Sequence, residues 1–296
     1  MKLGFIGQGW IGKNYADSFE DRGFDIVRYA KEVPYMENRD AIALCDIVFI
    51  AVPTPTTPNG FDASILREVV KLVGKGKTAV IKSTLLPGTT ESVQAENPDI
   101  YVLHSPEFLR EASARHDVDH PDRTIVGIPQ DTEEYRTRAQ AVIDVLPKAP
   151  YEAIVSVRAA ELVKYGGNAW LYFKVVYVNM LYDLAAKFGV RWEDVRDAMA
   201  ADPRIGTSHL DPVHSGGRGA GGHCFIKDLA ALREIYSREM GDALGVRLFE
   251  AVEEKNIDLL VGSGKDLDLL RGVYGERIVE HVETAPVVEP SRVEAL

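Results

Sequence analysis

The residue best placed to do chemistry is Cys224, in the segment "GGRGAGGHCFIKD" at 216–228. Five of the seven residues 216–222 are glycine, and glycines without side chains let a substrate approach the backbone. A helix is predicted just after the cysteine, and a helix N-terminus with Lys227 nearby lowers the pKa of a thiol. These features predict a nucleophile, with Asp228 one helical turn away on the same face. The alternative is an ordinary thiol beside a flexible loop.

A second group of polar residues lies on a long and otherwise apolar helical stretch. Glu161, Lys164, Asn168 and Tyr172 follow one another at intervals of three and four residues. This spacing places them on one face of a helix. The two glycines between them each cost ~1 kcal/mol of helix propensity relative to alanine, which indicates close packing or ligand approach. A solvated face is the alternative, and the apolar surroundings disfavour it.

A glycine-rich motif, Gly7-Gln8-Gly9-Trp10-Ile11-Gly12, closes the first predicted strand and opens the first predicted helix. The dinucleotide fingerprint requires this context, because it needs a tight turn, close backbone approach to the pyrophosphate and helix packing. The alternative is a glycine-rich turn without a ligand. The cofactor-binding residues predicted here are Gly7, Gly9, Trp10, Ile11 and Gly12.

The same fingerprint expects Asp or Glu at the end of the second strand, to hold the adenosine ribose hydroxyls. That position is Ala30 in this chain. A small residue there, with Arg28 and Lys31 beside it, is compatible with a 2′-phosphate, so both NAD and NADP stay open as cofactors. The alternative is that Glu32 or the backbone holds the ribose.

Further polar residues follow strands of the same predicted sheet, at the edge where doubly wound folds bind ligands. They are found in "AVPTP" at 51–55, "VIKSTLLPGTT" at 80–90 and "SPEFLRE" at 105–111. Each alone is more often a turn or a cap. The candidates are Pro53, Thr54, Lys82, Ser83, Thr84 and Glu107, of which Pro53, Thr54, Ser83 and Thr84 are assigned to the cofactor. The histidines have no spacing that indicates a metal, and we predict no metal site.

The elements that position these residues fall into two parts. Up to about residue 150, short apolar runs alternate with amphipathic stretches, which predicts a parallel sheet covered on both faces. Cys45 is assigned to its core. Strands are predicted at 2–7, 25–29, 46–52, 78–83, 100–105, 123–128 and 152–157, and helices at 11–22, 37–44, 62–73 and 89–96.

From about residue 157 the sequence predicts helices only, at 157–188, 192–200, 226–240 and 246–260. The predicted fold class is therefore α/β, with a Rossmann-like doubly wound parallel sheet followed by an all-helical domain containing one long helix. The predicted domains are a dinucleotide-binding domain at 1–155, a helical catalytic and dimerisation domain at 156–265, and a mobile tail at 266–296. The centre of the long helix is apolar almost all round, which predicts a homodimer through 157–188.

Composition restricts the partners. The chain has 296 residues, with 34 Lys and Arg against 45 Asp and Glu, a formal net charge of −11. This acidic balance argues against nucleic acid, because phosphate-backbone binding needs a basic surface. No run approaches the ~18 apolar residues of a membrane span, and no signal-peptide pattern follows Met1. The expected location is the cytoplasm, with no membrane partner.

Taken in order, the motifs resemble those of the UDP-glucose/GDP-mannose dehydrogenase family. They are "GFIGQGWIG", "VPTP", "KSTLLPGTT", "SPEFLRE", "PDRTIVG", "ELVKYGGNAW", "DPRIG" and "GAGGHCFIKD". The resemblance implies a Rossmann NAD domain, a central helical dimerisation domain and a second Rossmann-like domain that holds the nucleotide. It also implies oxidation of a sugar C6 alcohol to a carboxylate in two hydride transfers.

The resemblance further implies a role for each matched residue. Cys224 is similar to the thiolate that forms a thiohemiacetal and then a thioester. Lys164, Asn168 and Asp228 resemble the group that positions water and stabilises the oxyanion, and Glu107 and Thr84 the acid/base and water-holding pair. The remaining substrate contacts that it implies are Phe108, Leu109, Arg110, Gly221, Lys227 and Arg204, the last reaching the neighbouring subunit's substrate.

The chain also departs from the family pattern. Ala30 replaces the ribose-binding acid, the segment that follows it is shorter than usual, and Met180 replaces an acid. The second Rossmann-like domain is expected to be missing. An open cleft would then turn over UDP-sugars poorly and would favour a substrate that is smaller or presented by another protein. "GGHC" and "FIKD" resemble different branches, so the sugar stays open.

Three functions compete at this point. The first is a compact NAD(P)-dependent sugar or nucleotide-sugar dehydrogenase with a covalent Cys224 intermediate. The second is a single-step β-hydroxyacid-type dehydrogenase, which also uses a Lys-x-x-x-Asn helix such as Lys164 to Asn168 but needs no cysteine. The third is a non-catalytic binding or regulatory relative, which the intact set of polar residues disfavours.

Overall fold

The computed structural model describes residues 1–276 and Ile278. These residues form two compact units. The first contains Met1–Pro55 and Phe61–Gly167, and the second contains Thr56–Gly60 and the described residues from Asn168 onward. The predicted domain boundary at 155/156 lies beside the start of the long helix, whereas the two units divide inside that helix.

The first unit is built on a seven-stranded sheet in the order β2-β1-β3-β6-β7-β8-β9. The strands of this sheet are β1 (Lys2–Ile6), β2 (Asp25–Tyr29), β3 (Ile47–Ile50), β6 (Thr78–Ile81), β7 (Tyr101–His104), β8 (Arg123–Ile128) and β9 (Tyr151–Ser156). Two short strands, β4 (Thr56–Thr57) and β5 (Gly60–Phe61), pair with each other outside it. The helices of this unit are α1 (Trp10–Asp21), α2 (Ser64–Val69), α3 (Thr89–Glu96), α4 (Ala114–Asp119) and α5 (Glu133–Val145).

Both faces of this sheet are covered by apolar side chains. Phe5, Phe49 and Val80 point into one buried cluster, whereas Val48 and Ile81 point into another on the opposite face. Cys45 belongs to the second cluster, and burial raises the pKa of its thiol to about 11. The predicted Rossmann-like fold class is therefore confirmed, and Cys45 is a core residue.

The last two strands differ from the prediction of an all-parallel sheet. The strands from β2 to β7 are parallel to their neighbours, but β7 pairs antiparallel with β8, and β8 is parallel to β9. Between β7 and β8 the chain forms the six-residue α4 and a short 3₁₀ segment, and β8 runs opposite to β7.

Two helices of this unit were absent from the sequence prediction. Both lie in polar stretches, where the apolar periodicity is weak. In α5 the buried residues Ala139, Val142 and Ile143 nevertheless follow helical spacing, and the Thr132 hydroxyl accepts a hydrogen bond from the Tyr135 N–H at the helix start. A polar N-cap followed by this short stripe is the signal that could have predicted α5.

The helical part follows the prediction closely. Its elements are α6 (Val157–Lys187), α7 (Trp192–Ala200), β10 (Val213–His214), β11 (Gly217–Arg218), α8 (Gly222–Met240), α9 (Ala243–Gly262) and α10 (Leu267–Tyr274). The 31-residue α6 confirms the long helix. Helix α10 lies where the sequence predicted a mobile tail, and its Leu270 is fully buried beside Leu260 and Ile226. Beyond α10, the predicted tail is described only at Gly275, Glu276 and Ile278, and its other residues lie outside the described part of the chain.

Among the helices of residues 1–276 and Ile278, none combines the length and the apolar character that a bilayer crossing requires.

Candidate active site

The turn between β1 and α1 has the geometry that a dinucleotide needs. Gly7 has φ +90°, and a Cβ atom there would lie 2.3 Å from the Ala51 carbonyl oxygen. A Cβ atom on Gly12 would lie 1.9 Å from the Gly7 carbonyl oxygen. Any side chain at either position would therefore push the strand, the turn and the helix apart.

Gly9, between them, is different. Apart from its chain neighbours, no atom of the described residues lies within 4 Å of the Cβ position on Gly9. Helix α1 begins at Trp10, and its N-cap residue, Gly9, has no side chain to accept a hydrogen bond from the first N–H groups. The N-terminus of a helix favours an anion through these N–H groups and the helix dipole. These residues fit the pyrophosphate of a dinucleotide.

The residues beside Ala30 favour NAD over NADP. Arg28 is engaged by two carboxylates, with Nη1 2.5 Å from an oxygen of Asp17 and Nη2 2.5 Å from an oxygen of Glu20. Lys31 is exposed and lies 3.4 Å from Glu68. The charge of Arg28 is therefore balanced by two carboxylates, and Lys31 is the more weakly paired of the two predicted cations. A 2′-phosphate bound here would have little unpaired positive charge beside it.

Cofactor affinity should respond to an acid at this position. In Ala30→Asp the new carboxylate would accept hydrogen bonds from the ribose hydroxyls, so we expect NAD to bind about tenfold more tightly. NADP should bind more weakly, because its 2′-phosphate would meet the new negative charge. Calorimetric titration with both cofactors measures this. Glu32→Ala tests the alternative, because weaker NAD binding in that variant would show that Glu32 holds the ribose. If Ala30→Asp leaves both affinities unaltered, the ribose is held elsewhere.

The loops after β3 and β6 hold each other through hydroxyl groups. Thr54 Oγ1 donates to the Thr84 carbonyl oxygen at 2.8 Å. Ser83 Oγ donates to the Val52 carbonyl oxygen at 2.7 Å and accepts from the Val52 N–H at 3.0 Å. The structure thus brings three of the predicted cofactor residues together, while Pro53 between the loops stays exposed.

A buried ion pair lies at the carboxyl ends of β6 and β7. Lys82 Nζ is 3.2 Å from Glu107 Oε2 and 3.2 Å from Ser105 Oγ, and it lies 4.5 Å from the centre of the Tyr15 ring. The Lys82 side chain is 4% exposed and that of Glu107 is 9% exposed. Glu107 Oε1 also accepts the Phe108 N–H at 2.8 Å. Both oxygens of the predicted acid/base residue are therefore engaged inside the first unit.

The titratable neighbours of this pair are neutral. Burial and the Glu107 carboxylate raise the pKa of Tyr15 well above its usual value. Burial lowers the pKa of His104 to about 3, and the ring Nδ1 lies 3.0 Å from the Ile81 carbonyl oxygen. Lys82 is consequently the cation that balances Glu107. The sequence predicts Lys82 as a candidate without a role, although its position directly after a buried strand could have indicated a buried cation.

Glu161 does not belong to an open polar site. It is fully buried, and its carboxylate accepts the Gly88 N–H at 2.7 Å, the Thr90 N–H at 2.9 Å and the Thr90 hydroxyl at 2.6 Å. Burial raises the pKa of Glu161. The carboxylate caps α3, so the residue anchors the segment that follows Thr84.

Tyr172 also differs from the prediction. It is 1% exposed, and it packs in an apolar cluster with Val176 and Leu229. The four residues predicted as one polar stripe on α6 therefore do not form one surface. The first, Glu161, is buried where it caps α3, and the last, Tyr172, is buried in an apolar cluster.

The segment after Glu107 makes its own contacts in the first unit. The Phe108 ring lies 3.9 Å from the Arg123 guanidinium and 5.9 Å from Lys164 Nζ. Lys164 is 8% exposed. Leu109, predicted as a sugar contact, packs against the core of the sheet instead, because it is a large apolar side chain beside an apolar cluster.

Arg110, another predicted sugar contact, is bound to Asp117. Its Nε and Nη2 atoms lie 3.0 Å and 2.6 Å from the two carboxylate oxygens. The hydrogen bonds from Arg110 lower the pKa of Asp117 to about 2. The guanidinium remains 71% exposed, so the ion pair orients it without burying it.

In the second unit, Cys224 is the third residue of α8 and its side chain is exposed. The helix begins at Gly222, four residues before the predicted start, so the thiol lies within the first turn. One turn further, Asp228 is 2% exposed. Its carboxylate accepts a hydrogen bond from Asn168 Nδ2 at 2.5 Å and pairs with Lys227 Nζ at 2.5 Å. Three of the predicted site residues thus meet beside the helix that carries the thiol.

Two models of one protein family match the sequence of this chain. The NAD binding domain of the UDP-glucose/GDP-mannose dehydrogenase family matches residues 32–143, and the central domain of the same family matches residues 158–258. The chain belongs to this family. The first match begins after the glycine-rich turn, so the assignment of that turn depends on its own geometry.

Curated relatives agree with this membership. A putative UDP-glucose 6-dehydrogenase of Bacillus subtilis is 27% identical, over 88% of this chain and 69% of the relative. A UDP-glucose 6-dehydrogenase of Rhizobium meliloti is 32% identical, over 78% of this chain and 62% of the relative. The chain thus spans roughly two thirds of the length of these family members. A solved UDP-glucose dehydrogenase of Pyrobaculum islandicum is 28% identical with a TM-score of 0.74, covering 91% of this chain and 70% of that chain.

Two further positions compared with the family pattern are Met180 and Arg204. Met180, which replaces an acid, is 52% exposed. Its neighbour Asn179 is fully buried and accepts a hydrogen bond from Arg218 Nε at 2.8 Å. The buried asparagine therefore carries the packing role, and the acid was replaced on an exposed face. Arg204 is 88% exposed and pairs with Asp202 at 2.6 Å.

Across residues 1–276 and Ile278, the histidines, cysteines, aspartates and glutamates form no group of three or more that could hold a metal ion.

Proposed function

We propose that the chain catalyses the NAD-dependent oxidation of a nucleotide-sugar primary alcohol to the carboxylate in two hydride transfers. The observation that supports this is the arrangement on α8. An exposed thiol, Cys224, lies in the first turn, and the buried Asp228, bound to Asn168 and Lys227, lies one turn further. Family membership supports the reaction class and NAD as the cofactor.

The proposed chemistry assigns a separate task to each residue. The glycine-rich turn would hold NAD, and two NAD molecules, bound one after the other, would each supply the acceptor for one hydride. The sulfur of Cys224 bonds to the aldehyde carbon left by the first transfer, and the N-terminus of α8 favours its thiolate. The second transfer gives a thioester, and water cleaves the C–S bond to release the acid and restore the thiol. The buried carboxylate of Asp228 holds the Asn168 amide in a fixed orientation for the oxyanion and the attacking water.

The test is the stoichiometry of the reaction. The purified chain is incubated with NAD and UDP-glucose, a UDP-N-acetylhexosamine or GDP-mannose, and reduced cofactor and sugar acid are both quantified. We expect two NADH for each acid formed. One NADH per product, with no acid, would favour a single-step dehydrogenase of the β-hydroxyacid type. Absence of turnover with every sugar would favour a binding relative.

We also propose that the chain is a homodimer through α6. In the second unit this helix exposes a stripe of large apolar side chains: Trp170 (69% exposed), Tyr177 (55%), Met180 (52%) and Leu184 (48%), and Phe188 (72%) directly follows its last residue. Their spacing of three, four and seven residues keeps them on one face. An exposed apolar stripe of this kind is typical of an interface.

Light scattering at micromolar concentration should therefore give a dimer mass. Tyr177→Glu should give a monomer, because it would bury a charge at the centre of the stripe. Leu244→Glu is the matched control, since Leu244 is 70% exposed on α9. A dimer that survives Tyr177→Glu, or a monomeric wild type, would contradict an interface at this stripe.

The proposed location is the cytoplasm. A nucleophilic thiol must stay reduced, and disulfides form mainly in oxidising compartments. The exposed Cys224 thiol is consistent with a reducing compartment.

A further inference from the structure

The glycine-rich loop that precedes Cys224 is backed by the end of α9 and the turn that follows it. The side chain of Asn256 is fully buried and binds both backbone groups of Ala220, with its Oδ1 accepting the N–H at 2.6 Å and its Nδ2 donating to the carbonyl at 2.9 Å. Ser263 Oγ accepts the Arg218 N–H at 2.9 Å. Two backbone units of the loop are therefore fixed by side chains from α9 and its C-terminal cap.

Lys265 and Asp266, later in the same turn, extend this contact toward α8. Lys265 is half-buried, and its Nζ donates to the Gly219 carbonyl oxygen at 3.1 Å. Asp266 Oδ2 accepts the Gly222 N–H at 2.7 Å. Gly222 is the first residue of α8, so the Asp266 carboxylate lies at the start of the helix that carries Cys224.

The glycines of the loop are explained by this contact. A Cβ atom on Gly217 would lie 2.7 Å from Lys265 Cβ, and one on Gly221 would lie 2.0 Å from Asp266 Oδ2. On Gly219 it would lie 2.9 Å from Asn256 Oδ1. These three positions are glycine because α9 packs against Gly219 and the turn packs against Gly217 and Gly221. The glycines were predicted to let a substrate approach the backbone, and packing on the Cβ side of these three, including Gly221, is a second reason for glycine there.

Asp266 supplies what the loop itself lacks. The N-cap of α8 is Gly221, which has no side chain to accept a hydrogen bond from the first N–H groups. The Asp266 carboxylate accepts one of them from a different segment. Asp266 itself has φ +54°, the left-handed conformation that non-glycine residues adopt at a cost. Such a conformation persists where the surrounding contacts fix it.

We propose that Asp266 is a positioning residue for Cys224. Its carboxylate caps α8 two residues before the thiol, and Lys265 beside it fixes the preceding loop. The first turn of α8 is thereby held in one position, which keeps the sulfur where the covalent step needs it. A negative charge at a helix N-terminus opposes thiolate formation, so the benefit of Asp266 is geometric. This role in turnover rests on the proposed function, whereas the cap does not.

Two substitutions separate the carboxylate from the backbone conformation. Asp266→Gly keeps the left-handed turn and removes the acceptor, while Asp266→Asn keeps both the turn and an amide oxygen as acceptor. In Asp266→Gly we expect amide hydrogen exchange in 219–226 to accelerate about tenfold, the factor for loss of one hydrogen bond to a charged group. We expect kcat for acid formation to fall about tenfold with KM nearly unchanged, because the thiol and not the substrate site is displaced.

The conservative variant and a control decide between positioning and general stability. Asp266→Asn should restore exchange and kcat to within about threefold of wild type, since a neutral acceptor retains most of the bond. Asp268→Ala is the control, because its carboxylate is 97% exposed two residues further along. It should change neither quantity.

Two results would overturn the proposal. One is unchanged exchange in 219–226 for Asp266→Gly, which would show that the carboxylate does not cap α8. The other is failure of Asp266→Asn to restore kcat while exchange returns to normal. If the wild-type chain forms no sugar acid, the proposed function and the positioning role are both wrong, and the exchange data still decide whether Asp266 caps the helix.

Discussion

Cys224→Ser is expected to form no sugar acid, with turnover to the acid reduced roughly a thousandfold or more. A serine hydroxyl is a far weaker nucleophile than a thiolate at neutral pH, and its adduct does not give the thioester that water cleaves. Binding of NAD should persist, because the glycine-rich turn belongs to the first unit. The measurement is quantification of acid and NADH at the end of the reaction, together with calorimetric titration of NAD.

Cys45→Ala is the matched control for this variant. Cys45 is the chain's other cysteine and is fully buried in the core of the first unit. Its replacement should leave the stoichiometry of two NADH per acid intact. Unchanged acid formation by Cys224→Ser would exclude the covalent mechanism.

Lys82→Met is expected to destabilise the first unit by about 3–5 kcal/mol at pH 8, because it leaves a buried carboxylate without its cation. Methionine matches the length of the lysine stem, so the loss comes mainly from the unpaired Glu107. The double variant Lys82→Met/Glu107→Gln should recover part of the stability. The free energy of unfolding, measured by urea titration, tests both changes.

Lys77→Met provides the comparison with an exposed ion pair. Lys77 lies directly before β6, and its Nζ is 2.7 Å from Asp46 Oδ1, with the two side chains 33% and 44% exposed. Its loss should cost no more than about 1 kcal/mol, since exposed pairs contribute little. Equal effects of Lys82→Met and Lys77→Met would show that the buried pair is not essential to the fold.

Local patterns were sufficient to predict much of the fold. The apolar runs located all seven strands of the sheet, and apolar periodicity located α6, α7 and α9. Both signals are carried by residues at most four positions apart in the segment itself. Where a helix is mostly polar, as in α4 and α5, that signal weakens. The reversal of β8 had no local signal, since strand direction depends on how the chain returns to the sheet.

The sequence by itself determined the glycine-rich turn, the thiol of Cys224 and its i, i+4 partner Asp228, because these depend on residue type and local spacing. Only the tertiary structure decided which polar groups meet across the chain. Glu161 caps α3, Lys82 balances Glu107, and Asp266 caps α8. Each of these contacts joins segments far apart in sequence, and a buried charge or an uncapped helix end can be matched to its partner only when the packing of both segments is known.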